Sequence, residues 1–374
     1  MNFDLTDEQQ LIQDSVSRFV SDNYDLEQRQ AITKSSTGFS AEHWQTMAEL
    51  GWLGLTLSEA DGGFGGNQID TMVVMEQFGK GLVCEPFLAS IVLGGGALKY
   101  GSQRAIADQW LPALIDGSRR LALAYAEVQS RFDLNEVLTS ARADGDSLVI
   151  NGQKSMVQNG EGADAFVVSV RLAGSQSDST GIGLVLVPAD ADGLTASHFP
   201  TVDGLRASEL TFENVRVNTN QLLVSGDRGY QVLNQVINDG ILAVAAEAVG
   251  AMEMLYKDTV AYTQEREQFG HPLADFQALQ HRMVDMFMEY EQCKSLLYRA
   301  TLEVATGHEG AERSVHALKY LIGKTGIFIG ENAVQLHGGM GVTEELRVGH
   351  YFKRLLVIDA QFGNGDHHLQ QFAA

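Results

Sequence analysis

The stretch Gln264-Glu265-Arg266-Glu267-Gln268-Phe269-Gly270-His271-Pro272-Leu273-Ala274-Asp275-Phe276-Gln277 decides how the C-terminal half of this chain is read. Apolar residues at helical spacing lie on both sides of it, and Gly270 and Pro272 interrupt the pattern. Two long helices should therefore meet at a tight corner there. Arg266, Phe269, Gln268 and Gln277 sit at that corner. A fixed cation, amide hydrogen-bonding groups and an aromatic face in one place suit a pyrophosphate joined to an adenine.

Working outward, the helical period runs from about Gly229 nearly to the end, in segments of roughly 229–265, 274–306 and 310–335. Segments of that length read as a bundle. Gly323, Gly326 and Gly330 recur at helical spacing on the third, which predicts close helix contact rather than a ligand site. Upstream, from about 119 to 222, the period falls to two. Leu121–Tyr125, Ser147–Ile150, Ala165–Val168 and Gly183–Val187 read as strands, with Asp144-Gly145 and Asn151-Gly152 as turns between them. Short strands between turns predict a small barrel or sandwich.

The first 118 residues are helical again. Thr6-Asp7-Glu8-Gln9 is a capping box that opens a helix carrying Leu11, Ile12, Val16, Phe19 and Val20 on one face. Ser40 should cap a helix that stops at Gly51, and Gly62–Gly66 should form a flexible turn before a helix over Ile69–Phe78. That glycine cluster has neither a preceding strand nor a P-loop lysine, so it is not read as a phosphate cradle. The fold class is thus mainly α with a central β domain: an N-terminal helical domain over 1–118, a β-barrel domain over 119–222 and a C-terminal four-helix bundle over 223–374.

Composition narrows the function. A formal charge of −22 over 374 residues disfavours nucleic acid and anionic membrane surfaces as partners, because both require basic patches. An anionic cofactor remains compatible through local arginines and helix N-termini. Cys84 and Cys293 are the two cysteines, too few for a disulfide framework, and the default is two packed thiols. Met1-Asn2-Phe3-Asp4 has no basic n-region and no uninterrupted apolar run approaches a membrane span, so a cytoplasmic protein is expected. His367-His368 beside Asp366 lacks ligand-spaced partners and is not read as a metal site. There is no Gly-x-Ser-x-Gly elbow for an acyl hydrolase.

The corner closely resembles the Arg-x-x-Phe-Gly signature of the acyl-CoA dehydrogenase family. A second run, Gln335-Leu336-His337-Gly338-Gly339-Met340-Gly341, is similar to that family's Gln-x-x-Gly-Gly-x-Gly segment. The order helical domain, β domain, long bundle extends the resemblance over essentially the whole chain. It implies FAD as cofactor, an oligomer in which each FAD lies across two subunits, and contact of Arg266, Phe269, Gln277, Gln335 and Gly339 with the ADP half. It also implies an acyl-CoA substrate and an electron-transfer flavoprotein as acceptor.

Other parts of the pattern depart from the family. Its Thr-Glu-Pro-x-x-Gly-Ser-Asp-like run, in which Thr meets the flavin ring and Ser lies near CoA, is here Ala126-Glu127-Val128-Gln129-Ser130-Arg131-Phe132-Asp133. After Asn151-Gly152-Gln153-Lys154 the family's Trp-x-Thr is replaced by Met156-Val157-Gln158, followed by Asn159-Gly160. The base that removes the substrate's α-proton is a Glu at one of two family positions. One falls on Phe362, before Gly363, and the other on Gly240, about seven turns before Arg266. Neither is an acid, and Asp239, Glu247 and Asp366 are the nearest candidates to substitute.

Keeping one half of a FAD site without the base resembles the small-subunit branch of heteromeric family members, of the pimeloyl-CoA dehydrogenase small-subunit type and its relatives in steroid side-chain catabolism. Val348–Leu355 and Asp366-His367-His368 share in that resemblance. A paralogous large subunit carrying the Glu is then the expected partner, with a bulky or dicarboxylic acyl-CoA as substrate. The alternatives are a homo-oligomeric enzyme with an unusual base, a non-catalytic flavin-binding scaffold, and a flavin oxidase or monooxygenase on the same fold.

Overall fold

A computed structural model describes residues 4–374. Helices α1 (Asp7–Asn23), α2 (Leu26–Lys34), α3 (Ala41–Glu49) and α4 (Gln68–Gly81) come first. A π-helix, Leu88–Gly95, leads into α5 (Gly96–Tyr100), and α6 (Arg104–Ile115) follows. The strands are β1 (Leu121–Ala124), β2 (Ser140–Asp144), β3 (Ser147–Gln158), β4 (Ala165–Arg171), β5 (Ile182–Pro188), β6 (Leu194–Pro200), β7 (Arg206–Asn218) and β8 (Leu222–Val224). Then come α7 (Arg228–Glu265), a short hairpin of β9 (Glu267–Gln268) and β10 (His271–Pro272), α8 (Gln277–Ala305), α9 (Ala311–His337), α10 (Arg347–Ala360) and α11 (Gly365–Ala373).

The chain divides into two compact units, one made of the residues up to Ala31 with Asn67–Val83 and Ile241–Ala374, the other of Ile32–Gly66 and Cys84–Gly240. In the first unit the Thr6 hydroxyl accepts from the Gln9 amide at 3.2 Å and the Gln9 side chain accepts from the Thr6 amide at 3.1 Å, closing the expected capping box. Val16, Phe19 and Val20 are buried as their spacing demands, whereas Leu11 is 69% exposed.

The bundle is held by small residues and one buried ion pair. A Cβ at Gly79 would fall 1.9 Å from the Glu247 carbonyl oxygen, and one at Gly250 would fall 1.9 Å from that of Glu76, so α4 and α7 cross with their backbones touching. Gly323, Gly326 and Gly330 of α9 lie against Asp359, Leu355 and Phe352 of α10, as their spacing predicted. At the crossing, the Arg354 guanidinium grips the Glu247 carboxylate through two bonds of 2.6 and 2.7 Å, both groups buried. Helix α7 is long and apolar enough by length and composition to cross a bilayer, and 78% of its apolar window is buried inside the protein.

In the second unit the sheet runs β6-β7-β3-β2-β4-β5-β8, with β1 pairing parallel to β4. Side chains from β1, β3, β4, β5 and β7, among them Ile150, Phe166, Val185 and Phe212, share one core. Two turn readings need correction. Asn151-Gly152 lies inside the long strand β3, at a shift of register against β7, because Gly152 takes φ +145° and forms a bulge rather than a hairpin. Gly62–Gly66 is tied down, not loose. The amides of Gly63, Phe64, Gly65 and Gly66 donate to the carbonyls of Ser58, Gly54, Leu57 and Leu55.

The Glu247–Arg354 pair yields a stability prediction. Glu247→Ala strands a buried guanidinium and should cost about 3–5 kcal/mol, read from the denaturant midpoint. A loss below about 1 kcal/mol would show that the pair does not hold the crossing.

Candidate functional site

Helix α7 ends at Glu265, one residue before the arginine, so the break begins earlier than Gly270. The Arg266 amide still donates to the Tyr262 carbonyl at 2.8 Å, and the Arg266 carbonyl accepts from the Leu273 amide at 2.8 Å. The backbone of Arg266 is thereby fixed on both sides while its guanidinium faces solvent. Phe269 and Gly270 form the two-residue turn of the hairpin with φ of +58° and +81°. Both central residues at positive φ fit a type I′ turn, which for a phenylalanine is a sparsely populated conformation. Its ring is 90% exposed and meets Phe276 edge-on at 6.2 Å. Gln277 opens α8 and is exposed.

The second run sits at the end of α9. Gln335 is exposed, and Gly338 turns the chain with φ +58° and ψ −139°, a conformation only glycine adopts readily. A Cβ on Gly338 or Gly339 would meet no atom within 4 Å, so the backbone there is open to an approaching group. The structure joins the two runs through residues that the sequence reading passed over. Tyr262, one turn before Arg266, stacks on His337 with ring centroids 4.3 Å apart and 26° between the planes. Its hydroxyl points to the His337 carbonyl at 3.5 Å. The signal was present as two aromatic rings, Tyr262 just before one quoted run and His337 inside the other, but their contact depends on the helix crossing.

The two positions where the resemblance expects a base carry Gly240 and Phe362. Gly240 is buried on α7. Its neighbour Asp239 accepts from the Tyr100 hydroxyl at 2.6 Å. Phe362 is buried with φ +58°, its carbonyl contacted by His368 Nε2 at 3.0 Å, and Lys319 donates to the Gly363 carbonyl at 2.7 Å. Glu247 is consumed by Arg354. Asp366 is an exposed first-turn residue of α11. Burial pushes the Glu76 carboxyl up, as a base would require, against the pull of Lys294 and Lys80. That side chain, however, is 2% exposed and paired with Lys294 at 3.6 Å.

The departed segments keep their frame. Burial pushes the Glu127 carboxyl up, but the Lys154 charge and hydrogen bonds from Lys154, Gln129 and the Thr139 amide outweigh it and hold the group at about 2. Lys154 Nζ lies 2.7 Å from Glu127 and 2.9 Å from Ser169 Oγ, with burial drawing its own pKa down to about 8. Val128, Leu138 and Met156, on the stretches that carry or contact this pair, are exposed. The Thr139 hydroxyl donates to the Gln153 carbonyl at 3.1 Å, and Gln158 pairs with Ala207 in the sheet.

Three models of one family match the chain: the acyl-CoA dehydrogenase N-terminal domain over residues 6–118, the middle domain over 122–215 and the C-terminal domain over 227–374. The chain is 28% identical over 353 residues to the probable acyl-CoA dehydrogenase YngJ of Bacillus subtilis (strain 168), covering 93% of this chain and 92% of that one. Among solved structures, a variant of the Tcur3481–Tcur3483 steroid ACAD is 28% identical with a TM-score of 0.87, covering 98% of this chain and 96% of that one. The ChsE4–ChsE5 complex from Mycobacterium tuberculosis, 24% identical with a TM-score of 0.90 over 100% of this chain and 98% of that one, shares the fold.

The Glu127–Lys154 pair predicts an acid limb. The folded-state pKa of about 2 lies below the ordinary 4.5, so this stabilisation is complete above about pH 4.5 and is lost as pH falls toward 2. Glu127→Gln should flatten that part of a stability-against-pH curve. An unchanged limb would contradict the pairing.

Proposed function

We propose a division of labour for this chain, which belongs to the acyl-CoA dehydrogenase family: it grips the ADP half of FAD and leaves proton abstraction to a partner chain. The family's chemistry is oxidoreduction of an acyl-CoA thioester with FAD as cofactor. The observation that carries the finer reading is the absence of a carboxylate at both base positions, Gly240 and Phe362, with Asp239 and Glu247 each bonded to another side chain.

The residues at the corner fit the ADP moiety. The exposed Arg266 guanidinium offers paired, charge-assisted donors to pyrophosphate oxygens. Phe269 presents an aromatic face at a hairpin tip, where a 90% exposed ring is left without cover until something packs on it. Gln277 and Gln335 supply amide groups, and Gly339 lets backbone approach. The chemistry that FAD supplies when bound is acceptance of the hydride from the acyl β-carbon. This chain's residues bind and orient it, while Ala126 and Met156–Gln158 replace the side chains that the family sets against the ring.

The partner is a paralogous subunit with the intact base, and the substrate a bulky or dicarboxylic acyl-CoA. The 28% identical steroid ACAD bears two polypeptide names, which supports a two-chain enzyme. A cytoplasmic enzyme passing electrons to an electron-transfer flavoprotein completes the proposal.

Two experiments test it. Arg266→Ala should strip flavin from the assembled protein, each lost charged hydrogen bond being worth about 1.5–3 kcal/mol, with far-UV circular dichroism unchanged. Full flavin occupancy would remove the assignment. The chain alone should not bleach its flavin anaerobically with an acyl-CoA, since a lost general base costs about 10²–10⁴ in rate. Co-expression with a Glu-bearing paralogue should restore bleaching, and Asp239→Asn here should leave it nearly intact. Rapid bleaching by the single chain, stopped by Asp239→Asn, would make Asp239 the base.

A further inference from the structure

Residues 338–346 link α9 to α10, beginning with a 3-10 turn over Gly338–Val342, and both ends of this segment are fastened to the last turns of α7. At its start, His337 stacks on Tyr262 at 4.3 Å. At its end, the Arg347 guanidinium grips the Asp258 carboxylate with bonds of 2.6 and 2.9 Å. Asp258 lies one turn before Tyr262, and Tyr262 one turn before Arg266.

The His337 ring is 5% exposed, and its Nδ1 lies 2.8 Å from the Ala333 carbonyl. A carbonyl only accepts, so Nδ1 carries the proton and the imidazole plane is fixed against its own helix. The other face of the contact is fixed as well. The Tyr262 carbonyl accepts the Arg266 amide at 2.8 Å, and the Tyr262 hydroxyl reaches the His337 carbonyl at 3.5 Å. A continuous path of contacts therefore runs from Ala333 through His337 and Tyr262 to the backbone of Arg266.

We infer that the Tyr262–His337 stack is a positioning strut, setting the distance between Arg266 and the Gln335–Gly339 segment so that both reach one FAD. The inference rests on the ADP-half reading. Neither ring needs to touch the cofactor: Tyr262 acts through Arg266, and His337 acts through Gly338 and Gly339. The Arg347–Asp258 pair holds the far end of the segment, so losing the stack lets its near end drift without unfolding it.

The test is FAD titration of the flavin-depleted complex, followed by flavin fluorescence, with thermal unfolding of the depleted complex in parallel. His337→Ala should raise Kd for FAD about tenfold, the upper range for an aromatic pair, with little change in unfolding temperature. His337→Phe restores a ring and should bring Kd back to within about twofold to threefold of the parent. Tyr262→Leu removes the stack from the other side and should match His337→Ala, which keeps the test available should the latter fold poorly. Parental affinity in Tyr262→Leu, or no recovery in His337→Phe, would overturn the strut. Arg266→Ala in the same titration separates the two levels. If it loses FAD while the stack variants do not, the strut alone fails. If it too binds normally, the ADP-half reading fails and the strut with it.

Discussion

The α4–α7 crossing is the constraint on which the first unit depends. Gly79 and Gly250 bring each helix against the other's backbone carbonyls, leaving no room for a methyl group at either position. Such contact fixes the rotation of α7 as well as its axis. Arg354 then locks α10 to the same level through Glu247, and the Tyr351 hydroxyl donates to the Lys80 carbonyl on α4. With α7 set, its last turns place Asp258, Tyr262 and Arg266 along the end of the bundle, and α9 delivers His337 and the glycine run to meet them.

The same constraint removes an acid from the chemistry. Glu247 is one of the carboxylates that the sequence offered in place of the base, but a bidentate guanidinium holds both its oxygens. A buried carboxylate so paired has both oxygens committed to the guanidinium. Asp239 is likewise bonded, by Tyr100. Asp239 and Glu247 thus serve the architecture of their own units.

Much of this was legible in the sequence. The capping box at Thr6, the cap at Ser40 and the small-residue stripe on α9 follow from local chemistry and appear where their residues placed them, while the helix break before α8 begins earlier than Gly270, at Glu265. The five residues assigned to the ADP half lie on two runs that the fold does join, but the joining contact was hidden. Tyr262 and His337 are 75 residues apart in the chain, and no periodicity predicts that two particular rings will stack. Asn151-Gly152 misled because its dipeptide chemistry serves a bulge as well as a hairpin turn. The glycines of 62–66 misled because flexibility and close backbone approach demand the same residue.

Beyond these contacts stands the proposal that this chain holds one end of FAD and not the other. The direct measurement is an experimental structure of the co-purified complex with FAD bound. The expected result is the pyrophosphate on Arg266 and the adenine between Phe269 and the Gln335–Gly339 segment of this chain, with the flavin ring against the partner and its glutamate. A flavin ring seated on Ala126 and Met156–Gln158 of this chain, with no partner carboxylate near it, would contradict it.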